Sequence, residues 1–475
     1  MLGALYLINI LISFVIVFLD RKDPTATLAW IMVFFLVPGF GILLYFAFSQ
    51  NISRQKIFTM SYNEELLLTT SLANQNKAIE NGEFKFHNKV AQKWNDLIRM
   101  NQVYGTAYFT QDNSVTLFTD GIEKMKSLYK DIENAKKSIN IEYFIVKHDI
   151  VGDNLLERLI KKAEEGLEVR LLVDALGSWR INKNLVKKLI DAGGKYAEFF
   201  PTKWKFFNTK INYRNHRKLA ILDDEIGYIG GYNIAREYIG LKKKFGYWRD
   251  AHIKVKGGSV CDINARFLLD WRSATKEKVN MEDVFFAPEK TSGDVGVQIV
   301  SSGPDSVHEE IKIGLLKMIT SAKDSIYIQT PYFVPDVTIL ECLKMAAQSG
   351  IDVNIMIPCM PDHMFVYWAT YSYVAEIMKA GGKIYIYDNG FLHAKTMAVD
   401  DEVCTVGSAN FDIRSFKLNF EANAFIFDKE VTCEVVKSFK EDVKLSHMLT
   451  EEIYNSRGIW IKIKEAFSRV LSDIL

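Results

Sequence analysis

Hydrophobic positions fall into two regimes along the chain. The first is N-terminal and unbroken by charge. Leu2 to Leu19 is an apolar run, Asp20-Arg21-Lys22-Asp23-Pro24 interrupts it, and Thr25 to Phe48 is a second run that contains Pro38-Gly39. As helices these runs would be roughly 27 Å and roughly 36 Å long, against a bilayer core of about 30 Å. They predict a hairpin of two transmembrane helices, 2–19 and 25–48, with both ends on one side. A cleaved signal peptide fits poorly, since no basic residue precedes Leu2 and no small-residue cleavage site follows the run. Arg21 and Lys22 in the loop nearly balance Arg54 and Lys56 beyond it, so charge bias does not fix sidedness.

Residues 51–110 are polar and helix-prone, and read as a linker and an entry helix. Beyond them the second regime begins, in which strand-like and helix-like blocks alternate and the whole order occurs twice. Ala135-Lys-Lys-Ser-Ile139, a strand over Asn140–Val146, a helix over Asn154–Glu165 and a strand over Glu168–Asp174 have counterparts. These are Ala322-Lys-Asp-Ser-Ile326, a strand over Tyr327–Thr330, a helix over Thr338–Gln348 and a strand over Asp352–Pro358. Gly166 and Gly350 stop the two helices. Leu189-Ile-Asp-Ala-Gly-Gly-Lys195 likewise matches Ile377-Met-Lys-Ala-Gly-Gly-Lys383. The pattern predicts an α/β protein of two homologous domains, 111–290 and 291–475, each a mixed sheet flanked by helices. The first half carries a longer segment before its motif, with Lys203-Trp204-Lys205-Phe206-Phe207 and Lys210. It suits either a lipid interface with an anionic substrate or a surface loop with tucked aromatics. At the end of the chain Trp460, Ile463, Phe467, Val470, Leu471 and Ile474 recur at helical spacing, which predicts an amphipathic helix, packed on its own domain in preference to the alternative of a membrane surface.

Composition narrows the chemistry. Lys+Arg 59 against Asp+Glu 58 is nearly balanced, which disfavours nucleic acid as the partner. The five cysteines are scattered without metal-site spacing or a disulfide framework.

The sharpest signal is a repeated motif. In Asn215–Asn233 and in Leu392–Asn410, His, Lys, Asp, Gly and Asn recur at the same spacing, as His216, Lys218, Asp223, Gly230, Asn233 and His393, Lys395, Asp400, Gly407, Asn410. Residues two apart on a strand share a face, so each His projects beside its Lys. A neutral imidazole is a competent nucleophile and a protonated one a competent acid. Two such pairs can bracket one phosphodiester, one His attacking phosphorus and the other protonating the leaving oxygen. Lys218, Lys395, Ser408, Asn233 and Asn410 would bind or support the phosphate. Asp223 and Asp400 complete the catalytic set in a supporting role, holding the turn after each strand. The scheme needs neither a metal nor an organic cofactor.

The HxKx4Dx6G(G/S)xN pattern resembles the phospholipase D superfamily, which implies a phosphohistidine intermediate in one active site between two similar domains. Thr27-Leu-Ala-Trp30, Leu36-Val-Pro38, Tyr213-Arg-Asn-His-Arg-Lys218, Trp248-Arg-Asp250, Thr330-Pro-Tyr-Phe-Val-Pro335 and Asn410-Phe-Asp-Ile-Arg-Ser415 further resemble the bacterial cardiolipin synthases, over essentially the whole chain. That family transfers a phosphatidyl group from one phosphatidylglycerol to the terminal hydroxyl of another, releasing glycerol. The resemblance implies a multi-pass protein of the bacterial cell membrane, with catalytic domains on the cytoplasmic side and phosphatidylglycerol and membrane lipid as partners. It also implies that an acidic residue downstream of each motif orients the imidazole, by position Asp250 and Glu421, with His216 as nucleophile and His393 as acid. The alternative is a hydrolytic phospholipase D or another phosphatidyl headgroup transferase. A nuclease is disfavoured by the charge balance and the apolar N-terminus, and a non-enzymatic scaffold by the intact motifs.

Overall fold

The computed structural model describes residues 2–19, 24–37, 39–48, 57–201, 212–279, 281, 293–306 and 308–472. The basic-aromatic segment from Lys203 to Lys210 lies outside the described residues, as do Arg21, Lys22, Pro38, Arg54, Lys56, Ile474 and the expected domain boundary near 290.

The N-terminal region forms α1 (Leu2–Leu19), α2 (Pro24–Leu36) and α3 (Phe40–Phe48). The second apolar run is therefore two short helices and not one long span. The break comes at Pro38-Gly39. A proline disfavours helix at the residue before it, and Gly39 takes a φ of 82°, in the left-handed region. The Trp30 and Tyr45 rings lie 5.2 Å apart. A straight helix from 30 to 45 would separate them by roughly 22 Å, so α3 folds back on α2. Gly41 permits the approach: a Cβ there would lie 3.1 Å from the Val33 carbonyl oxygen. Asn9 of α1 donates to the Phe34 carbonyl at 3.1 Å and ties α1 to the same unit. Among the described residues no helix is long and apolar enough to cross a membrane.

The segment expected as linker is structured beyond residue 61. Ser61 caps the helix Tyr62–Glu80 through a capping box with Glu64. Trp94, Leu97 and Ile98 then enter the core of the second half beside Val300, Ile311 and Leu315.

The first half contributes β1 (Thr110–Phe118), β2 (Ser138–Tyr143), β3 (Glu168–Asp174), β4 (Lys195–Phe199), β5 (Arg214–Asn215), β6 (Lys218–Leu222), β7 (Ile226–Gly230), β8 (Trp248–Arg249) and β9 (His252–Lys256). The second contributes β10 (Val295–Ser302), β11 (Ser325–Gln329), β12 (Phe333–Val334), β13 (Asp352–Pro358), β14 (Lys383–Tyr387), β15 (Phe391–Leu392), β16 (Thr396–Val399), β17 (Val403–Gly407), β18 (Phe411–Asp412), β19 (Asn419–Phe427) and β20 (Ser446–Met448). The sheet runs β20-β14-β13-β11-β16-β17-β19-β10-β1-β9-β7-β6-β2-β3-β4. Read outward from the antiparallel β1–β10 pair, the two halves repeat the same order. Equivalent strands that pair antiparallel are related by a two-fold axis, so the duplication is also a symmetry of the sheet. The expected strands Glu168–Asp174 and Asp352–Pro358 are reproduced, while the strands before them start two residues earlier than expected, at Ser138 and Ser325.

The aspartates of the motifs hold the strands in register. Asp223, Asp224, Asp400 and Asp401 all adopt φ near +55°, which closes the β6–β7 and β16–β17 turns tightly. The Asp223 carboxylate accepts the backbone N–H groups of Lys136, Lys137 and Ser138, and that of Asp400 accepts those of Lys323, Asp324 and Ser325. Each therefore clamps the start of the neighbouring strand, β2 or β11. They sit at the far end of the motif strand, roughly 16 Å of extended chain beyond each lysine. Asp223→Ala and Asp400→Ala remove those acceptors. Each variant is expected to lose about 1–3 kcal/mol of stability, read as a lower thermal midpoint. Turnover per folded molecule should stay within a few-fold of the parent.

Candidate active site

Each catalytic strand is anchored by its neighbours on both sides. His216 and Arg217 lie between β5 and β6, and their side chains alternate. Arg217 points away from the site into a buried pair with Asp270, at 2.7 and 2.8 Å. His216 and the buried Lys218 point the other way. β6 itself is fully buried through Leu219, Ala220, Ile221 and Leu222, which leaves the lysine little freedom to move. His393 and Lys395 repeat the arrangement between β15 and β16, and both are buried. Each lysine ammonium donates to the carbonyl of its own histidine.

The two halves meet by exchange. β5 pairs with the start of β19, and His216 N–H donates to the Phe420 carbonyl at 2.9 Å. β15 pairs with β8, and His393 N–H donates to the Arg249 carbonyl at 2.6 Å. Each motif strand thus lies against the residues that lead into the other half's acid. His216 Nδ1 lies 2.9 Å from Glu421 Oε1, and His393 Nδ1 lies 2.5 Å from Asp250 Oδ2. Asp250 and Glu421 do face histidines, and each serves the motif of the opposite half. A carboxylate on Nδ1 fixes the tautomer and leaves Nε2 to face the substrate.

Both carboxylate side chains are fully buried. Burial opposes ionisation of Asp250, but Lys395 and His393 outweigh it and hold the carboxyl below its usual range. Glu421 is held low in the same way, against burial, by His216, Lys218 and a hydrogen bond from Ser408. Burial dominates at the four bases. It lowers His216 to about 4 against the pull of Glu421, and His393 to about 4 with Lys395 adding to the fall. Lys218 falls to about 7 and Lys395 to about 8, again chiefly through burial. Burial therefore favours neutral imidazoles and brings both lysines toward losing their protons near neutrality. Among the described residues no group of three or more His, Cys, Asp or Glu side chains could hold a metal ion.

The remaining expected residues divide by what they touch. Ser408 Oγ donates to Glu421 and accepts the Ala422 N–H at 3.0 Å, so it braces the acid. Its counterpart is Gly231, where a Cβ would lie 2.0 Å from Asp250 Oδ1. The mismatch between the halves is thus a matter of room for Asp250. The Asn233 amide is used within the fold: Oδ1 accepts the Ile145 N–H at 3.1 Å and Nδ2 donates to Tyr238 at 2.7 Å. The amide is tied to the fold through these two bonds, and the second N–H of Nδ2 lies beyond them. Asn410 donates to Asp412 at 3.3 Å, while its buried Oδ1 has no partner among the described residues. Asp223 and Asp400 are not brought to the imidazoles: each sits in the turn after its strand and clamps the start of the neighbouring one.

Several residues escape the motif. Tyr238, Trp248 and Phe391 pack around the His393 ring with centroids at 5.8, 5.1 and 6.0 Å. Phe144 meets the His216 ring edge-on at 5.0 Å. Asn419 donates to Glu421 at 3.2 Å. Trp248 and Asn419 each precede an acid by two residues, a signal open to inspection. Tyr238 and Phe144 carry no such mark.

A family model described as "Cardiolipin synthase, PLD-like domain" matches residues 128–245 and 315–443, and one described as "Phospholipase_D-nuclease N-terminal" matches residues 7–50. The chain is 47% identical to the major cardiolipin synthase ClsA of Bacillus subtilis (strain 168), over 100% of this chain and 99% of that protein. It is 48% identical, with the same coverage, to a cardiolipin synthase of Listeria monocytogenes serotype 4a (strain HCC23). The crystal structure of phosphatidylserine synthase from Haemophilus influenzae Rd KW20 superposes with a TM-score of 0.60 at 15% identity, over 80% of this chain and 100% of that one, which shows the shared fold. With both motif halves, the N-terminal region and the full length matched, the chain belongs to the cardiolipin synthase family of phospholipase D-like phosphatidyltransferases.

Proposed function

We propose that the site joins two phosphatidylglycerol molecules into cardiolipin, with His216 as nucleophile and His393 as acid and base. In the first step His216 Nε2 attacks the donor phosphorus. The P–N bond forms, the P–O bond to the headgroup glycerol breaks, and His393 delivers its Nε2 proton to the departing oxygen. Glycerol leaves. In the second step the terminal hydroxyl of the acceptor phosphatidylglycerol gives its proton to His393 and attacks phosphorus. The P–N bond breaks, and cardiolipin and neutral His216 result. Lys218 and Lys395 stabilise the charge on the nonbridging oxygens. Entry of an anionic phosphodiester supports the protonated forms of both lysines and of His393, against the effect of burial.

The observation that carries this reading is the crossed pairing of His216 with Glu421 and His393 with Asp250, which makes the two motifs one site. The two acids differ in what they accept. Glu421 accepts from Ser408 and Asn419 as well as from His216, so its charge is spread over more donors. Asp250 accepts the Ala251 N–H at 2.8 Å besides His393, and keeps more of its charge for an imidazolium. Both imidazoles are held at about 4, so the order itself, His216 as nucleophile and His393 as acid, is taken from the resemblance to two-domain members of the superfamily. The same reading takes α1–α3 as the membrane anchor, with Leu7, Leu11, Leu28, Phe35, Leu36 and Phe40 exposed for lipid and the catalytic halves on the cytoplasmic face.

Purified protein given labelled phosphatidylglycerol in micelles, with chelator present, is expected to release cardiolipin and glycerol. Phosphatidic acid as the sole product would instead mean that water is the acceptor. His216→Ala and His393→Ala should each abolish turnover in a folded protein, and normal activity in either would remove the shared-site scheme. Asp250→Asn and Glu421→Gln should each lower kcat by about 10²–10⁴-fold. Because the pairing is crossed, His216→Ala with Glu421→Gln should fall no further than His216→Ala alone. The pH dependence follows from the lysines. Their cationic forms bind phosphate and are lost as pH rises, so kcat/KM should decline through the window of about 7 to about 8. A profile flat to pH 10 would contradict that assignment.

A further inference from the structure

The C-terminal helix, Ile459–Leu471, is mounted with its apolar side outward. Glu465, Ser468 and Ser472 lie on one stripe and are 3%, 0% and 7% exposed. On the opposite stripe Trp460, Ile463, Phe467 and Val470 are 74%, 49%, 58% and 60% exposed. The polar stripe is held by specific bonds. Arg457 forms an ion pair with Glu465, and Ser472 meets the Tyr373 hydroxyl at 3.1 Å. A water-facing helix buries its apolar stripe and solvates its polar one. Here the expectation of a helix packed on its own domain is met, but through the wrong stripe for water.

What covers that face can be argued from charge and position. The helix carries Lys462 and Lys464 beyond its internal pairs, since Arg457 neutralises its one described acid, Glu465, and Arg469 pairs with Glu376 of the neighbouring helix. Its neighbour is the helix Met364–Lys379, and the Lys464 ammonium lies 4.8 Å from the centre of the Trp368 ring. Met364 and Phe365, on the first turn of that neighbour, are also exposed and extend the apolar surface. Met360, four residues before that turn, packs against the cluster of Tyr238, Trp248 and Phe391 around His393. The turn that carries Met364 and Phe365 therefore starts beside the wall of the catalytic site.

We propose that the helix Ile459–Leu471, with Met364 and Phe365, lies in the surface of an anionic phospholipid bilayer and seats the mouth of the catalytic site on the lipid that supplies its substrate. Trp460 and Phe467 enter the acyl boundary while Lys462 and Lys464 stay among the phosphates. This contact is separate from the α1–α3 anchor, and it rests on the reading of a phospholipid substrate only for its purpose. The test uses the full chain in vesicles of phosphatidylglycerol with brominated acyl chains, which quench tryptophan on contact. The parent should show a quenched component that is missing from Trp460→Phe, whatever the catalytic activity. A second pair of measurements uses Ile463→Glu/Phe467→Glu. Turnover on monomeric short-chain phosphatidylglycerol should match the parent, and turnover on vesicles should fall at least about tenfold. An unquenched Trp460, equal activity of that variant on vesicles, or a dimer in detergent that the double variant dissolves would overturn the proposal, the last by assigning the face to a second copy. Failure to make cardiolipin with Trp460 still quenched would count against the catalytic reading and leave the docking face standing.

Discussion

The organisation of the whole molecule depends on two imidazole–carboxylate contacts made between halves. A fully buried carboxylate is costly unless a charge and hydrogen bonds accompany it. Glu421 and Asp250 obtain theirs from the opposite half, His216 for one and His393 for the other. The strand exchange that delivers them, β5 onto β19 and β15 onto β8, then fixes how the halves sit. The β1–β10 pair at the centre of the sheet is the backbone counterpart of the same symmetry.

Within that symmetry the halves have diverged where the chemistry is unequal. Gly231 gives Asp250 the space that Ser408 fills beside Glu421. An aromatic collar of Tyr238, Trp248 and Phe391 surrounds His393, while His216 has Phe144. One acid is shared among several donors and the other is reserved mostly for its imidazole. Two similar domains can thus supply dissimilar roles without any change in the strands that carry them. Burial has a second effect: it disfavours positive charge on the four bases, which an anionic phosphodiester beside them would favour.

The sequence revealed whatever recurs. The duplicated order of strands and helices and the four His and Lys residues were legible, because a repeat at constant spacing stands out against chance; Asp250 and Glu421, 34 and 28 residues beyond their motif histidines, came only through the family resemblance. The crossing of the acids was not legible, since spacing along the chain does not say which half a strand joins. Asp223 and Asp400 sit in the motif for a reason that only three-dimensional contact exposes: their carboxylates cap the start of the adjacent strand. Spacing could not show that Ile145 and Tyr238 engage the Asn233 amide within the fold. The apolar run 25–48 read as one span because hydropathy averages over Pro38-Gly39, whereas backbone geometry does not. The C-terminal periodicity was visible, but periodicity does not say which side of a helix faces inward.

The exchange of acids also sets when the enzyme comes alive. Glu421 lies 205 residues beyond His216, and His393 lies 143 beyond Asp250. A ribosome that has finished the first motif has made a histidine with no carboxylate, next to a membrane full of substrate. Nothing in the first half can supply the missing acid, because the symmetry reserves that place for a residue not yet translated. Domains fold as they emerge, yet here the first motif's histidine has no partner acid until β19 is made and threaded in. The pairing is completed only late in synthesis.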